Sequence, residues 1–251
     1  MSKLFDLSGR LALITGSSRG IGRAIAEGYI EAGARVIING RDAAAVADTV
    51  KALGASAVAA SFDVTNRAIV ETAIGKIESD VGPIDILVNN AGMTKRMAFT
   101  DFPEEDWRQI LATNLDSVFF VTQSVARRMV PRSRGKIVNI CSVMSELGRA
   151  SIAPYTASKG AVKMLTKTMC AEWARHGITA NGISPGYFGT ELNTALMNDE
   201  KFSAWVCART PAGRWGKVEE LQGAAIFLAS DASSFVNGHI LFVDGGMTAV
   251  V

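Results

Sequence analysis

Short apolar segments alternate along this chain with longer segments of helical periodicity. The apolar segments predict β-strands at residues 10–15, 35–39, 56–62, 84–89, 135–141, 178–184 and 239–243. The segments between them predict helices at residues 20–33, 43–53, 66–81, 104–130, 155–175 and 217–229. Several of the strands are apolar nearly throughout, which is typical of strands covered on both faces. The alternation therefore predicts an α/β fold, a doubly wound parallel sheet with helices on both sides.

The composition is compatible with one domain. Hydrophobic residues make up 48% of the 251 residues, which is enough to bury a sizeable core. No tandem repeat, low-complexity tract or linker divides the sequence, so we expect a single domain over residues 1–251. Residues 187–216, which are rich in glycine, asparagine, methionine and tryptophan, interrupt the alternation. A long segment of this kind often covers an active site, and we expect a substrate lid here.

The charge pattern argues against a nucleic-acid partner. The formal net charge is +2, with 26 basic and 24 acidic side chains. The basic residues are scattered and form no stripe of the kind that nucleic-acid-binding proteins carry. The densest basic run, residues 127–134, is expected to face solvent at a helix end, and docking of an acidic partner is the alternative.

Neither a membrane partner nor a metal site is expected. The sequence has no apolar run of about 18 residues, the length that a membrane span needs. Residues 1–10 lack the long apolar region and the cleavage site of a signal peptide. The three cysteines have no metal-ligand spacing, and the two histidines lie far apart in the sequence. Free thiols are typical of a reducing compartment, so we expect a cytoplasmic protein.

A glycine-rich turn follows the first predicted strand and precedes the first predicted helix. Gly16, Gly20 and Gly22 lie in this turn with the spacing G-x-x-x-G-x-G. A diphosphate can approach the start of a helix only where side chains are absent, and backbone N–H groups with the helix dipole then hold its charge. The context of strand, turn and helix therefore predicts a nucleotide-binding site.

The end of the second predicted strand indicates which nicotinamide cofactor is used. An acidic residue at this point would bind the free 2′-hydroxyl of the adenosine ribose. This chain has Gly40 and Arg41 instead, and Arg19 lies in the glycine turn. Two guanidinium groups are suited to clamp a 2′-phosphate and to stack on adenine. We therefore expect NADP rather than NAD, and we expect Asp42 to cap the following helix.

Six short segments carry a resemblance to a known family. They are TGSSRGIG (15–22), NNAG (89–92), TNL (113–115), NICS (139–142), YTASK (155–159) and SPGYFGT (184–190). In their order and spacing the chain resembles the short-chain dehydrogenase/reductase family over almost its whole length. The resemblance implies a Rossmann fold, an NADP(H)-dependent interconversion of a secondary alcohol and a ketone, and a homotetramer. The helices at 104–130 and 155–175 would form one subunit interface, and the C-terminal strand would form another.

The resemblance also implies the catalytic residues. Tyr155 is the expected general acid/base, and Lys159, four residues later on the same helix face, is expected to favour the tyrosinate by its charge. Such a pair would also suit a solvated helix face, but the remaining motifs supply its partners. Ser142 is expected to bind the substrate oxygen. Asn114 corresponds to the family's asparagine that supports a proton-relay water near the lysine.

Cofactor-binding roles follow from the same resemblance. The residues expected to bind the cofactor are Gly16, Ser18, Arg19, Gly20, Ile21, Gly22, Arg41, Asp63, Val64, Asn90, Ala91, Gly92, Tyr155, Lys159, Pro185, Gly186 and Thr190. Asp63 and Val64 would hold the adenine ring, although Asp63 could instead cap a helix. Small residues at 90–92 would let the cofactor approach. Pro185 and Gly186 would lie beside the nicotinamide, with Thr190 on its carboxamide.

A loop directly after NNAGM suggests the substrate. Lys95 and Arg96 place two cations where the loop should overhang the nicotinamide, which suits an acidic substrate. Ser145, Glu146 and Arg149 are polar and suit a hydroxylated substrate better than a steroid or a fatty chain.

Further segments resemble one subgroup of the family, the gluconate 5-dehydrogenases. They include INGRD, VNICSVMSELGR and RTPAGRWG. The subgroup interconverts D-gluconate and 5-keto-D-gluconate, so the expected partner is a small-molecule sugar acid. Its carboxylate would bind Arg96, and its C5 oxygen would bind Ser142 and Tyr155.

Three alternatives stay open. The chain could act on another sugar acid or polyol, or it could reduce a 3-oxoacyl group on an acidic carrier protein that docks near Arg127 and Arg128. A nucleotide sensor without catalysis is the third, but Ser142, Tyr155 and Lys159 are all present. In the expected lid, Met197, Trp205 and Arg209 are candidates for the pocket, whereas Trp215 is expected in the core.

Overall fold

A parallel sheet forms the centre of the computed structural model, which describes residues 3–251 except the side chain of Leu192. Its strands are Leu11–Ile14 (β1), Arg35–Gly40 (β2), Ala57–Ser61 (β3), Ile86–Asn89 (β4), Gly135–Ile140 (β5), Ile178–Pro185 (β6) and Ile240–Val243 (β7). In the described residues these seven strands run in the order β3-β2-β1-β4-β5-β6-β7, and every neighbouring pair is parallel. The predicted fold class is confirmed. Met1 and Ser2, which begin the segment expected to lack a signal peptide, lie outside the described residues.

Helices connect the strands and cover both faces of the sheet. They are Gly20–Glu31 (α1), Ala43–Leu53 (α2), Arg67–Asp80 (α3), Glu104–Leu111 (α4), Ser117–Arg132 (α5), Ala153–Trp173 (α6), Thr194–Met197 (α7), Glu200–Arg209 (α8) and Gln222–Ala229 (α9). One hydrophobic core joins α1, α2 and α9 to the sheet, and a second joins α3, α5 and α6 to the opposite face. Successive residues of β1 contribute to different cores, because Ala12 points into the first and Leu13 into the second. This two-sided burial explains why the strands are apolar nearly throughout.

The strand order reverses direction next to β1. The chain passes from β1 to β2 and β3 on one side, and then returns to place β4 on the other side of β1. The loops that follow β1 and β4 therefore separate above the carboxyl ends of these strands. A crevice at such a reversal is the usual ligand site of an open α/β sheet.

The predicted helix over 104–130 is interrupted. A turn of π-helix, Ala112–Asp116, separates α4 from α5, so the expectation of one continuous helix is wrong at this point. The side chain of Asn114, in the middle of the turn, is fully buried. Wide turns of this type occur frequently at functional sites, because they turn one residue out of the regular helical register.

The segment at 187–216 contains two helices that the periodicity did not predict. The start of α8 is capped by Asp199, whose carboxylate accepts hydrogen bonds from the backbone N–H groups of Lys201 and Phe202, both at 3.1 Å. The segment is closed at its base by a parallel bridge between Phe188 and Gly216.

Candidate active site

A cleft of about 690 Å³ opens above the carboxyl ends of β1 and β4. All of the predicted catalytic and cofactor-binding residues, together with Arg96, line it except two. Gly22 and Asn114 lie behind its wall instead. The loops after β1, β4, β5 and β6 thus bring segments from the whole length of the chain to one place.

Two of the three glycines in the turn, Gly16 and Gly22, leave no room for a side chain. Gly16 has a φ of +60°, and a Cβ added there would lie 2.9 Å from the Cα of Ala91. A Cβ on Gly22 would lie 2.5 Å from Nδ2 of Asn90 and 2.7 Å from the carbonyl oxygen of Gly16. Gly22 therefore allows α1 to pack against the loop that follows β4, which explains why it does not itself line the cleft.

The start of α1 is suited to hold an anion. Within the described residues, the side chain of its N-cap residue, Arg19, makes no capping hydrogen bond. The first N–H groups of this 12-residue helix are thus left to a ligand or to water, at the positive end of the helix dipole. The glycine turn and the uncapped helix start fit the diphosphate of a dinucleotide.

Two polar residues that the sequence analysis missed hold the glycine turn in place. Asn39, which is 1% exposed, accepts a hydrogen bond from the N–H of Gly16 at 3.2 Å and donates to the carbonyls of Ala60 and Phe62. Oγ1 of Thr15 accepts from the N–H groups of Asn90 and Ala91, both at 3.0 Å. Each is a polar residue at or just beyond the end of an apolar strand, and that position is the signal that could have identified them.

Arg19 and Arg41 both line the cleft. Nη1 of Arg19 lies 3.6 Å from Oε2 of Glu191, but both side chains are well exposed, so this ion pair contributes little. Asp42 caps α2 as predicted, because its carboxylate accepts from the N–H groups of Ala44 and Ala45. The two guanidinium groups therefore stay available for an anion at this end of the cleft.

Asp63 lines the cleft and does not cap a helix. Its Oδ1 accepts hydrogen bonds from the N–H and Oγ1 of Thr65 at 2.9 and 2.7 Å. The cap of α3 is Asn66, whose side chain accepts from the N–H of Ile69. The alternative of a helix cap at Asp63 is therefore wrong.

Tyr155 and Lys159 lie in the first turns of α6. Nζ of Lys159 lies 5.7 Å from the centroid of the Tyr155 ring and donates a 2.6 Å hydrogen bond to the carbonyl of Ile140. Ser142 follows β5, and its Oγ accepts from the N–H of Met144 at 3.1 Å. The end of β5 and the start of α6 thus bring the three side chains together in the cleft.

Burial shifts the pKa values of Tyr155 and Lys159 in opposite directions. It raises the pKa of the Tyr155 hydroxyl, and a hydrogen bond with Ser142 lowers this pKa only in part. Burial lowers the pKa of the Lys159 ammonium from 10.5 to about 8. The expectation that protonated Lys159 favours the tyrosinate stays a prediction. The desolvation of the phenol outweighs the nearby charges, and the ammonium is directed to the carbonyl of Ile140.

Asn114 joins the π-turn to the loop after β4. Its Oδ1 accepts from the N–H of Met93 at 2.8 Å, and its Nδ2 donates to the carbonyl of Met93 and to Oγ of Ser158. A Cβ on Gly92 would lie 3.4 Å from Oδ1 of Asn114 and 3.8 Å from Nζ of Lys159. Asn114 therefore lies behind Gly92, next to the lysine but outside the cleft.

The two cations after NNAGM have different surroundings. Arg96 lines the cleft, and partial burial together with the charge of Arg149 lowers its pKa. Lys95 does not line the cleft, because its Nζ lies 2.5 Å from Oδ1 of Asp106 in α4. The expectation that both cations face the substrate is wrong for Lys95.

Of the three polar residues predicted to suit a hydroxylated substrate after β5, Arg149 lines the cleft and Ser145 and Glu146 do not. Oγ of Ser145 donates to the carbonyl of Lys159, and Glu146 pairs with Lys163. Arg149 lines the cleft, and its Nη1 donates a 2.9 Å hydrogen bond to the hydroxyl of Tyr187.

The segment at 187–216 borders the cleft with its first half. The lining residues are Tyr187, Phe188, Thr190, Glu191, Asn193 and Leu196. The side chain of Arg209 donates to the carbonyl of Val250, away from the cleft. Trp215 is half-buried and meets the Tyr187 ring edge-on at 5.6 Å, so it belongs to neither the cleft nor the core of the sheet. Tyr187, Phe202, Trp205 and Trp215 form one aromatic cluster.

The described residues also bear on metal binding and on membrane insertion. In residues 3–251, no three His, Cys, Asp or Glu side chains are grouped closely enough to hold a metal ion. None of the helices in this part of the chain combines the length and the hydropathy needed to cross a membrane.

Comparisons with known proteins agree with this geometry. A family model described as enoyl-(acyl carrier protein) reductase matches residues 16–248. Gluconate 5-dehydrogenase of Gluconobacter oxydans (strain 621H) is 56% identical over 98% of this chain and 97% of its own length. The 5-keto-D-gluconate 5-reductase of Escherichia coli (strain K12) is 56% identical over the full length of both chains.

A solved structure extends the likeness to three dimensions. Gluconate 5-dehydrogenase from Burkholderia cenocepacia J2315, in complex with NADP and tartrate, is 58% identical and superposes with a TM-score of 0.95 over 99% of both chains. With the doubly wound sheet and the ordered motifs, these matches show that this chain belongs to the short-chain dehydrogenase/reductase family.

Proposed function

We propose that this protein is an NADP(H)-dependent oxidoreductase that interconverts D-gluconate and 5-keto-D-gluconate. The observation that carries the proposal is that Arg96, a cation suited to a carboxylate, lines the same cleft as Ser142, Tyr155 and Lys159. Two relatives at 56% identity are named for this reaction, and the 58% identical structure was solved with NADP.

The cofactor fits the other end of the cleft. Its diphosphate would lie on the glycine turn and the start of α1, and its 2′-phosphate between Arg19 and Arg41. The adenine would lie against Asp63 and Val64. When bound, the nicotinamide supplies a hydride for reduction of the ketone or accepts one in the reverse direction.

The chain's own residues handle the proton. During reduction, Ser142 and Tyr155 donate hydrogen bonds to the ketone oxygen, and Tyr155 transfers its proton as that oxygen gains negative charge. The raised pKa of Tyr155 keeps it protonated at neutral pH, as an acid must be. Oxidation requires the tyrosinate, so we expect its rate to increase with pH. Lys159, beside the ring, stabilises the negative charge when it is protonated.

Absorbance at 340 nm tests the proposal. Purified protein should reduce NADP⁺ with D-gluconate and oxidise NADPH with 5-keto-D-gluconate, and Arg96→Gln should raise the KM for both sugar acids. The matched control Lys95→Gln should change these values little, because Lys95 is paired with Asp106. No turnover of either sugar acid by the wild-type protein would contradict the proposed substrate.

The acyl-carrier alternative has weaker support. The matching family model is described as a reductase of that kind. However, the basic run that would dock an acidic carrier is already paired with acidic residues of the same chain. Arg127 and Arg128 lie 3.9 and 3.2 Å from the carboxylate of Glu71, and Arg132 pairs with Glu78. We expect no turnover of an acyl-carrier thioester at rates comparable to those with a sugar acid.

We further infer a cytoplasmic homotetramer whose single domain is covered by a lid at 187–216. Trp107, Phe119 and Met164, which are exposed apolar residues on α4, α5 and α6, support a subunit interface there. The three cysteines are unpaired, as is usual in a reducing compartment. Light scattering after gel filtration should give four times the 26.6 kDa of one chain, and a monomer would contradict the inference.

A further inference from the structure

Arg149 is a cation in the cleft that the proposed mechanism does not use. It lies beyond the loop after β5, and it lines the same cleft as Arg96 from the loop after β4. The two guanidinium groups are near enough for the charge of Arg149 to lower the pKa of Arg96. Two positive charges in one cleft repel each other, and an anion bound between or beside them would relieve this repulsion.

Neither guanidinium is neutralised within the protein. Among the described residues, neither Arg96 nor Arg149 has a carboxylate within ion-pair distance, whereas the adjacent Lys95 is paired with Asp106. Thr94, two residues before Arg96 and also in the cleft wall, has a buried hydroxyl oxygen with no hydrogen-bond partner in this part of the structure. This end of the cleft therefore offers unsatisfied groups to a polar, anionic ligand.

The position of Arg149 is set by the segment at 187–216. Its Nη1 donates to the hydroxyl of Tyr187 at 2.9 Å, and its guanidinium carbon lies 5.0 Å from the centroid of the Phe202 ring in α8. The hydrogen bond and the ring contact hold the planar guanidinium from two directions without neutralising its charge. Arg149 is thus oriented in advance for a ligand.

We propose that Arg149 and Arg96 together form the carboxylate site, and that Tyr187 and Phe202 position Arg149 for it. The inference rests on the proposed function and assigns a further specificity-determining residue to it. A sugar acid would be bound at its carboxylate by two guanidinium groups from separate loops, while its keto carbon faces Tyr155. A polyol of the same length would lack the charge that this site selects.

Arg149→Gln tests the site by separating KM from kcat. Hydrogen bonds to charged groups contribute enough for the KM of D-gluconate to rise about 10- to 100-fold. The kcat should change less than the KM, because Arg149 does not contact the reacting oxygen in the proposed geometry and acts on Tyr155 only through its charge. The kcat/KM for D-glucitol, the uncharged polyol of equal length, should fall much less than that for D-gluconate.

Three further variants separate charge from structure. Arg149→Lys should recover part of the affinity for gluconate, and Tyr187→Phe should raise the KM by less than Arg149→Gln, because it removes only the positioning hydrogen bond. Arg209→Gln is the matched control, since Arg209 lies in α8 but contacts Val250 outside the cleft. It should leave the KM for gluconate unchanged.

A binding measurement gives a readout independent of turnover. Calorimetric titration of the NADP-loaded protein with tartrate should show weaker binding for Arg149→Gln and Arg96→Gln, while the Kd for NADPH stays unchanged in both.

The failure of this inference differs from the failure of the proposed function. If wild-type protein turns over gluconate but Arg149→Gln leaves both KM and tartrate affinity unchanged, the inference is overturned and the function stands. An equal loss with gluconate and glucitol would also overturn it, since a structural defect acts on both substrates. If wild-type protein ignores gluconate, the proposed function fails, and weaker tartrate binding by Arg149→Gln would still support the carboxylate site.

Discussion

Lys159 points its ammonium group at the carbonyl of Ile140, 2.6 Å away, and holds it 5.7 Å from the centre of the Tyr155 ring. The lysine is thus anchored to the end of β5 as well as to its own helix. Both side chains are withdrawn from water, so each pKa moves toward the neutral form of its group. The pair is therefore set for proton donation by the tyrosine at neutral pH.

Tyr155→Phe removes the transferable proton while keeping the ring. We expect kcat for reduction of 5-keto-D-gluconate to fall by about 10²- to 10⁴-fold, the range that general acid catalysis contributes. The Kd for NADPH, measured by fluorescence, should change little. A variant that retained more than a tenth of the wild-type kcat would contradict the role of Tyr155 as the acid.

The lowered pKa of Lys159 should make stability depend on pH. The unfolded chain keeps this lysine protonated up to about pH 10.5, whereas the folded chain loses the proton near pH 8. Between these values the unfolded state binds more protons, so the contribution of Lys159 to the free energy of unfolding increases as the pH rises. Below pH 8 its burial as a cation opposes folding by about 3 kcal/mol at most.

Lys159→Met removes the titrating group. The difference in stability between this variant and the wild-type protein therefore measures the contribution of Lys159. The variant should be more stable than the wild-type protein at pH 7.5, and its advantage should shrink as the pH approaches 10. Urea unfolding of both proteins at several pH values gives the difference. A difference that stays constant over this window would show that the ammonium is not desolvated in the folded protein.

Gly22→Ala should damage both stability and cofactor binding. The new methyl group would overlap Asn90 and the carbonyl of Gly16, and both lie in the wall of the proposed phosphate site. We expect a loss of about 1–3 kcal/mol in the free energy of unfolding, as is typical of overpacking. The Kd for NADPH should also rise.

Gly223→Ala is the matched control for that substitution. Gly223 lies in α9, and a Cβ there would meet no atom within 4 Å. Alanine should therefore raise the free energy of unfolding by up to about 1 kcal/mol, because it favours the helix. If both variants lose stability equally, the close contact at Gly22 is not the cause.

Arg41→Ala should weaken the binding of NADPH and leave the binding of NADH nearly unchanged. Arg41 lines the cleft, and its proposed ligand is the 2′-phosphate of NADP(H), a group that NAD(H) lacks. Loss of a charge-assisted hydrogen bond should raise the Kd for NADPH about 10- to 100-fold, and the Kd for NADH should change little. Fluorescence titration with both cofactors provides the test. An equal effect on both would place Arg41 against a shared part of the dinucleotide.

The order of strands and helices and most of the cleft residues could be predicted from the sequence. A strand that is buried on both faces has a run of apolar residues, and a close approach of two backbone segments requires glycine. Both features can be recognised in the sequence. The roles of the individual site residues are still predictions. The π-turn that contains Asn114 could not be recognised in this way, because the spacing of its apolar residues is close to that of a regular helix.

The sequence by itself determined the fold class and the family and predicted the cofactor end of the cleft, because each is marked by short motifs whose residues are close together in the chain. Tertiary structure alone decided that Lys95 pairs with Asp106, that Arg149 contacts Tyr187 and Phe202, and that burial raises the pKa of Tyr155. These properties depend on which distant segments fold against one another and on how much water they exclude. Residue type and spacing along the chain do not specify either quantity.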